Sequence, residues 1–206
     1  MLQRTAFVSP GEASSRDGVA SVAVSDQPPA FVSVDIEASG PSPSRHSILS
    51  IGACLVDDPS RSFYAELQPW SREADPVAMR VHGLSLDDLA ARGEEPAVAL
   101  RRLDDWLATE LDGRAPVFVG HNAAFDWMFV ADAFHRYLGH NPFGHAPLDT
   151  KSFFAGLTGE PWSATGLERI AARFGETGTL PHHALEDARI QARLFAAMLK
   201  RSQEAR

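Results

Sequence analysis

Residues 31–37 read Phe-Val-Ser-Val-Asp-Ile-Glu, and this short stretch decides how the rest of the chain is interpreted. Its aromatic and β-branched residues predict a strand. Side chains two positions apart in a strand point to the same face, so Asp35 and Glu37 place two carboxylates side by side at the strand's carboxyl end. Like charges this close repel unless a cation pairs with them. An exposed, charged strand end without function is the alternative, and this motif alone does not exclude it.

A second acidic cluster follows another apolar run. Residues 121–126 read His-Asn-Ala-Ala-Phe-Asp after the predicted strand 116–119, and a helix is predicted over 123–138. Asp126 then lies in the first helical turn, where the helix dipole stabilises a carboxylate even without any function. In the same way, His121 and Asn122 could simply cap this helix.

The third cluster opens the last predicted helix, roughly 183–199. Residues 182–187 read His-His-Ala-Leu-Glu-Asp, and Pro181 precedes them. At about 100° per residue, five helical steps would leave His182 and Asp187 roughly 140° apart, so they could not share a face if both were helical. Placing His182 in the loop before the helix removes this conflict. His183 could be an ordinary solvated imidazole, and we expect Glu186 to be exposed.

Together the clusters predict a metal centre for phosphodiester hydrolysis. The presence of four carboxylates and one histidine in distant segments is explained if these side chains converge in the folded protein and bind two divalent cations. Carboxylate oxygens are hard ligands that suit Mg²⁺ or Mn²⁺. Two such ions about 4 Å apart can activate a water and stabilise the leaving oxygen of an in-line displacement. We therefore interpret the chain as a nuclease.

The pattern of apolar residues predicts an α/β fold with a mixed sheet of about five strands flanked by helices. Strands come first, then strands alternate with helices, and the first three strands suggest an antiparallel meander. The remaining predicted strands are 48–56, 62–67 and 147–149, and the remaining predicted helices are 96–112 and 167–174. With 206 residues, we expect a flexible leader over 1–29, one folded domain over 30–200 and a tail over 201–206.

Composition restricts the partners and the compartment. The net charge is −8, and the four site carboxylates contribute four of these negative charges, which two divalent cations would cancel. Such a protein should hold a short single strand rather than a long duplex. No stretch approaches the ~20 apolar residues of a membrane span. Cys54 is the only cysteine, so we expect a buried, inert thiol and a cytoplasmic protein.

Two further sequence features are weak signals. Phe153, Phe154 and Trp162 are candidates for a base-stacking platform, although core packing is the favoured role for each. Residues 191–195 superficially resemble a sliding-clamp-binding pentapeptide, but they fall within the last predicted helix with Phe195 on its core side. A clamp or polymerase partner is therefore unsupported.

The three clusters, in this order, resemble the Exo I, II and III motifs of the DEDDh (DnaQ-like) 3′→5′ exonucleases. This family includes the polymerase proofreading subunit, RNase T and oligoribonuclease, and the match covers roughly residues 30–200. The resemblance implies a ribonuclease-H-like fold and a substrate that is the 3′ end of single-stranded DNA or RNA. It also implies that His82, within Val-His-Gly-Leu at 81–84, lies near the bound nucleotide, as do Asn122 and Gly40. Many members carry Thr-Thr-Gly after the first motif's Glu, whereas this chain has Ala-Ser-Gly at 38–40, so a threonine hydroxyl contact is lost while backbone contacts remain available.

The hypothesis that follows assigns each site residue a role. Asp35 bridges both metals, Glu37 and Asp187 hold the first, and Asp126 assists. His182 deprotonates the attacking water, because histidine ordinarily titrates near ~6.5. A nucleoside 5′-monophosphate is released.

Two rival functions use the same fold or the same ligands. One is a non-catalytic nucleic-acid-binding or adaptor domain, which has no need of all five side chains. The other is a metal-dependent phosphohydrolase of small nucleotides. DNA or RNA preference, processivity and a homodimer, which related enzymes often form, are not determined by the sequence.

Overall fold

The computed structural model of this protein describes residues 27–175 and 180–204, so most of the predicted leader lies outside the described residues. The strands are β1 (Ala30–Ala38), β2 (Ile48–Leu55), β3 (Ser62–Glu66), β4 (Pro116–Gly120) and β5 (Leu148–Asp149). The helices are α1 (Pro76–His82), α2 (Leu86–Arg92), α3 (Pro96–Leu111), α4 (Ala124–Leu138), α5 (Thr150–Thr158), α6 (Leu167–Phe174) and α7 (Ala184–Glu204), with a short 3-10 turn at Trp162–Ala164.

The described strands form one five-stranded mixed sheet in the order β3-β2-β1-β4-β5. The first three strands pair antiparallel, whereas β4 pairs parallel with both β1 and β5. The predicted meander and mixed sheet are thus confirmed, with β1 in the middle of the sheet. The pairing of β1 with β4 ends at Ser33 and Val119, four residues before Glu37. The carboxyl end of β1 is therefore not paired with β4.

The two faces of β1 carry different residues because its side chains alternate. Val32, Val34 and Ile36 join a buried apolar cluster that includes residues of α3 and α4. Each fully buried aliphatic or aromatic side chain in this cluster stabilises the fold by about 1.5–3 kcal/mol. The opposite face carries Phe31, whose ring meets Phe195 of α7 edge-on at 5.2 Å between centroids. Asp35 and Glu37 belong to the face of Phe31, toward α7.

The second apolar cluster packs α5, α6 and α7 against the other side of the sheet. Cys54 belongs to it, and burial raises the pKa of its thiol to about 12, so the expected inert thiol is confirmed. The last helix ends at Glu204 rather than near residue 199, so residues 201–204 of the predicted tail are helical. No helix within the described residues is long and apolar enough to cross a membrane.

Four helical segments have no counterpart in the predicted elements: α1, α2, α5 and the 3-10 turn. Helix α1 buries none of its residues, so it lacks the apolar stripe that marks a helix in sequence. Its start is fixed instead by Asp75, whose side chain accepts a hydrogen bond from the Val77 N–H. Local capping, which apolar periodicity does not detect, decides this segment.

Gly52 in the middle of β2 lets the start of α7 approach the sheet. A Cβ at this position would lie 2.3 Å from the backbone nitrogen of Leu185 and 2.4 Å from the carbonyl carbon of Ala184. Gly52 is also the partner of Asp35 in the β1–β2 register. The missing side chain thereby brings the third acidic cluster next to the first.

Candidate active site

The carboxyl end of β1 supplies the first two acidic side chains. Asp35 is partly accessible, whereas Glu37 is buried with 8% of its surface exposed. The β1–β2 register shifts between Glu37 and Ala38, which ends regular pairing just after the second carboxylate. Irregularities of this kind commonly re-aim side chains beside functional sites.

Helix α4 supplies the third carboxylate from its first turn, as predicted. Asp126 is 5% exposed, and its Oδ1 accepts a hydrogen bond from the Ile36 N–H at 3.1 Å. This amide is available because β4 no longer pairs with β1 at that point. Asp126 is therefore attached to the strand that carries Asp35 and Glu37.

The start of α4 is not capped by the residues that the sequence suggested. Its N-cap position is Ala123, which forms no side-chain cap. The Ala123 N–H instead donates to Oδ2 of Asp149 at 2.9 Å, so a carboxylate from the end of β5 caps the start of this helix. Asn122 is exposed and has a left-handed backbone with φ 64°. The capping alternative for His121 and Asn122 is wrong.

Helix α7 supplies the fourth carboxylate and begins at Ala184, so the prediction that His182 lies in the preceding loop is confirmed. His182 is exposed and has a left-handed backbone, with φ 56°. Asp187 is only 2% exposed. Its neighbour Glu186 is exposed, as expected, and pairs with Arg189 at 2.7 Å.

Three of the five predicted side chains form a tight group that suits a cation. One ligand atom each of Glu37, His182 and Asp187 lies within 4.8 Å of the others. Oδ1 of Asp187 is buried and has no hydrogen-bond partner in the described part of the chain. Buried carboxylate oxygens are normally satisfied, so an unpartnered one beside two other ligand groups fits a bound divalent ion.

Asp35 and Asp126 lie outside this tight trio, but their charges act on it. Burial and then repulsion from Asp126, Asp187 and Glu37 raise the pKa of Asp35 well above its usual value. Burial, followed by repulsion from Asp187 and Asp126, raises the pKa of Glu37 to about 7. All four carboxylates therefore share one field, and an added cation would relieve their repulsion.

Burial also raises the pKa of the two helical carboxyl groups. That of Asp126 rises to about 7, although the Ile36 N–H opposes the increase. That of Asp187 rises only to about 6, because His182 nearby favours its ionised form. A group of buried carboxyl groups with raised pKa values is typical of a functional site.

Gln191 is a site residue that the sequence interpretation missed. Its Nε2 donates to Oδ1 of Asp35 at 2.6 Å, and its Oε1 accepts from the His121 N–H at 2.8 Å. It is 2% exposed and lies one helical turn after Asp187, on the same face of α7. That spacing was the available signal. Because Gln191, Leu194 and Phe195 are buried, the clamp-binding interpretation of this segment is also excluded for the folded chain.

The predicted substrate-binding residues take different positions. His82 is half-buried. Burial lowers the pKa of its imidazole, and the charge of the nearby His182 lowers it further. Its Nε2 is buried without a hydrogen-bond partner among residues 27–175 and 180–204. Gly40 lies against His46, and a Cβ there would come within 2.4 Å of that ring. His82 therefore lies beside the site, whereas Gly40 is explained by close packing and its contact to substrate stays a prediction, as does that of Asn122.

The aromatic candidates separate into two groups. Phe154 is 3% exposed and Phe153 packs against the same apolar cluster, so core packing is confirmed for both. Core packing is wrong for Trp162, which is 59% exposed.

Comparison with known proteins agrees with this geometry. A family model described as RNase T exonuclease matches residues 32–195. The chain is 44% identical over 175 residues to the 3′-5′ DNA exonuclease Cap18 of Escherichia coli, covering 84% of this chain and 94% of that protein. It is 25% identical to the PolC-type DNA polymerase III of Staphylococcus aureus (strain bovine RF122 / ET3-1), of which it spans only 12%.

Solved structures of the same fold were also found. The nuclease domain of 3′hExo, a DEDDh family member bound to rAMP, superposes with a TM-score of 0.69 at 17% identity, covering 85% of this chain and 94% of that one. The zinc-bound complex of E. coli ExoI with single-stranded DNA gives 0.67 at 18% identity, covering 85% of this chain and 42% of that one. These likenesses confirm the ribonuclease-H-like fold.

Proposed function

This chain belongs to the RNase T exonuclease family, and we propose that it removes nucleotides from the 3′ end of single-stranded DNA with two divalent cations and His182 as general base. The observation that carries this proposal is the group formed by the buried Glu37 and Asp187 and the exposed His182, in which Oδ1 of Asp187 is buried without a hydrogen-bond partner in the described part of the chain. A non-catalytic adaptor has no reason to keep a buried, unsatisfied carboxylate.

In this proposal the carboxylates hold the cations. Asp35, Glu37 and Asp187 would be the ligands of these ions, and Asp126 would assist through the oxygen that does not accept from Ile36. Mg²⁺ or Mn²⁺ bound there would lower the pKa of a water and offset the charge on the leaving 3′ oxygen.

The remaining chemistry belongs to the protein's own residues. His182 takes the proton of the attacking water, and its exposed position in the loop before α7 lets it reach that water. His82 lies close enough to His182 for the charge of that residue to affect its pKa, so it is suited to contact the terminal nucleotide. Gln191 fixes the orientation of Asp35 through its 2.6 Å hydrogen bond.

DNA rather than RNA is favoured by the relative that matches over most of both chains, a 3′-5′ DNA exonuclease. The test is a DNA oligonucleotide labelled at its 5′ end and incubated with Mn²⁺ or Mg²⁺, beside an RNA of the same sequence. We expect a descending ladder from full length, faster on DNA and absent in EDTA. Immediate release of the label as a mononucleotide would show that the enzyme degrades from the 5′ end. An intact oligonucleotide whose band is retarded on a native gel would support the adaptor function instead.

Two expectations stay predictions: a homodimer and a cytoplasmic location. The buried, unpaired thiol of Cys54 is compatible with the second. Light scattering on the purified protein would decide the first.

A further inference from the structure

Trp162 is an exposed tryptophan that the proposed chemistry does not use. It lies in the 3-10 turn after α5 and is 59% exposed, although tryptophan is normally among the more buried residues. Nζ of Lys151, in the first turn of α5, lies 4.6 Å from the centroid of its ring. This cation–π contact holds an apolar ring and a positive charge together at the surface.

A short chain of contacts links this pair to the candidate active site. Gln191 bonds both Asp35 and the His121 N–H. Nδ1 of His121 lies 3.2 Å from Oγ1 of Thr150, which directly precedes Lys151. Lys151 is also close enough that its charge, after burial, helps to lower the pKa of His121 to about 4. The Lys151–Trp162 pair is therefore connected to the candidate active site through His121 and Gln191.

The charge of Lys151 is unusual in this protein. The net charge is −8, and the sequence contains only two lysines, Lys151 and Lys200. No acidic side chain among the described residues forms an ion pair with Lys151, whereas nearly every salt bridge that is formed uses arginine. An unpaired ammonium beside an exposed indole complements a phosphate that is followed by a base.

We propose that Trp162 and Lys151 form a binding subsite for a single-stranded nucleic acid, upstream of the nucleotide that is removed. The indole stacks on a base, and the ammonium pairs with a backbone phosphate. This inference rests on the proposed function, because it assumes that the strand's 3′ end lies at the four carboxylates. In this proposal, part of the binding of the strand comes from a surface that is separate from the carboxylates.

The subsite should matter only for substrates long enough to reach it. Loss of the base stack should raise the KM for a strand of about ten nucleotides by about tenfold and leave kcat unchanged. A dinucleotide, which ends before the subsite, should be hydrolysed equally well by the variant. Loss of the Lys151 charge should also reduce the slope of log KM against log salt by about 1.

The experiment compares Trp162→Ala, Trp162→Phe and Lys151→Ala on both substrates. Trp162→Phe retains an aromatic face and should recover most of the affinity. Lys200→Ala is the matched control, because Lys200 lies near the far end of α7, about 25 Å along the helix from its start. All four substitutions are at accessible side chains, so the variants should fold.

A binding measurement without catalysis separates failure of this inference from failure of the proposed function. In EDTA, a single-stranded oligonucleotide should quench tryptophan fluorescence in the wild type but not in Trp162→Phe, since the other tryptophans, Trp70, Trp106 and Trp127, pack against the core. If the quench persists in Trp162→Phe, or if Trp162→Ala impairs dinucleotide and longer strand equally, the subsite is wrong. If the oligonucleotide quenches the wild type in EDTA but the wild type does not hydrolyse it with Mn²⁺ or Mg²⁺, the subsite stands and the proposed nuclease is refuted.

Discussion

The starts of α4 and α7 look alike in sequence, but the fold treats them differently. Each helix brings an aspartate from its early turns and follows a residue with a left-handed backbone, Asn122 before α4 and His182 before α7. At α4 the protein satisfies its own polar groups: Ile36 donates to Asp126, and Asp149 accepts from Ala123.

At α7 the backbone of His182 and His183 hydrogen-bonds the Asp187 carboxyl group, but one of its oxygens is left without a partner among the described residues. Oδ1 of Asp187 is buried with no partner in the described part of the chain, and His182 and His183 are exposed. A buried oxygen without a partner destabilises a fold by about 1–3 kcal/mol, so it persists where something else satisfies it. The α4 side is thus held by the protein's own hydrogen bonds, whereas the α7 side keeps a carboxylate oxygen that the proposed cation would satisfy.

The largest effect should come from the α7 side. Asp187→Asn removes a charged ligand, and we expect kcat/KM on single-stranded DNA to fall by about 10³-fold or more. The same variant should be at least as stable as the wild type in EDTA, because it relieves repulsion among the carboxylates. Glu186→Gln, one position earlier and exposed, is the control and should keep full activity. A stable Asp187→Asn variant with near-normal rates would end the metal-ligand assignment.

His182→Ala should lower kcat by about 10²-fold while leaving Mn²⁺ affinity nearly unchanged. The reason is that a general base is lost but the carboxylates remain. Titration calorimetry with Mn²⁺ and steady-state kinetics measure the two effects, and His183→Ala serves as the neighbouring control. If Mn²⁺ affinity fell in proportion to kcat, His182 would be a ligand rather than the base.

Asp126→Ala should test the α4 side through stability. It removes the acceptor of the buried Ile36 N–H and should lower the free energy of unfolding by about 2 kcal/mol. Urea unfolding at about pH 5 is the suitable measurement, because burial raises the pKa of Asp126 to about 7 and the side chain is then uncharged. Asp126→Asn retains an acceptor and should lose much less. Equal losses in the two variants would show that this hydrogen bond does not stabilise the α4 side.

The smallest expected effect is a pH-dependent gain in stability with metal. Burial raises the pKa of Glu37 to about 7 and of Asp187 to about 6, so without metal the folded state holds more protons than the unfolded chain between about pH 4 and 7. Stability without metal must therefore fall as pH rises through this window. Mn²⁺ should raise Tm by several degrees at pH 8 and little at pH 5, by calorimetry. An equal shift at both values would place the ion elsewhere.

Much of the fold follows from local patterns in the chain. The strands and the long helices were predicted within a few residues, because alternating or helically spaced apolar residues mark the buried faces. Helices α1, α2 and α5 were not predicted, because they bury few residues or depend on caps such as Asp75. The same limit explains Trp162, whose exposure cannot be read from its hydrophobic character.

The sequence by itself determined which residues are the candidates for the chemistry, because carboxylates at strand ends and helix starts are chemically specific and recur in a fixed order. Only the tertiary structure decided how these candidates are arranged. It shows that Gly52 admits the start of α7 to the sheet, that Gln191 joins Asp35 to His121, and that Asp187 keeps an unpartnered oxygen. These are contacts between residues far apart in the chain, and they depend on which surfaces meet rather than on any local propensity.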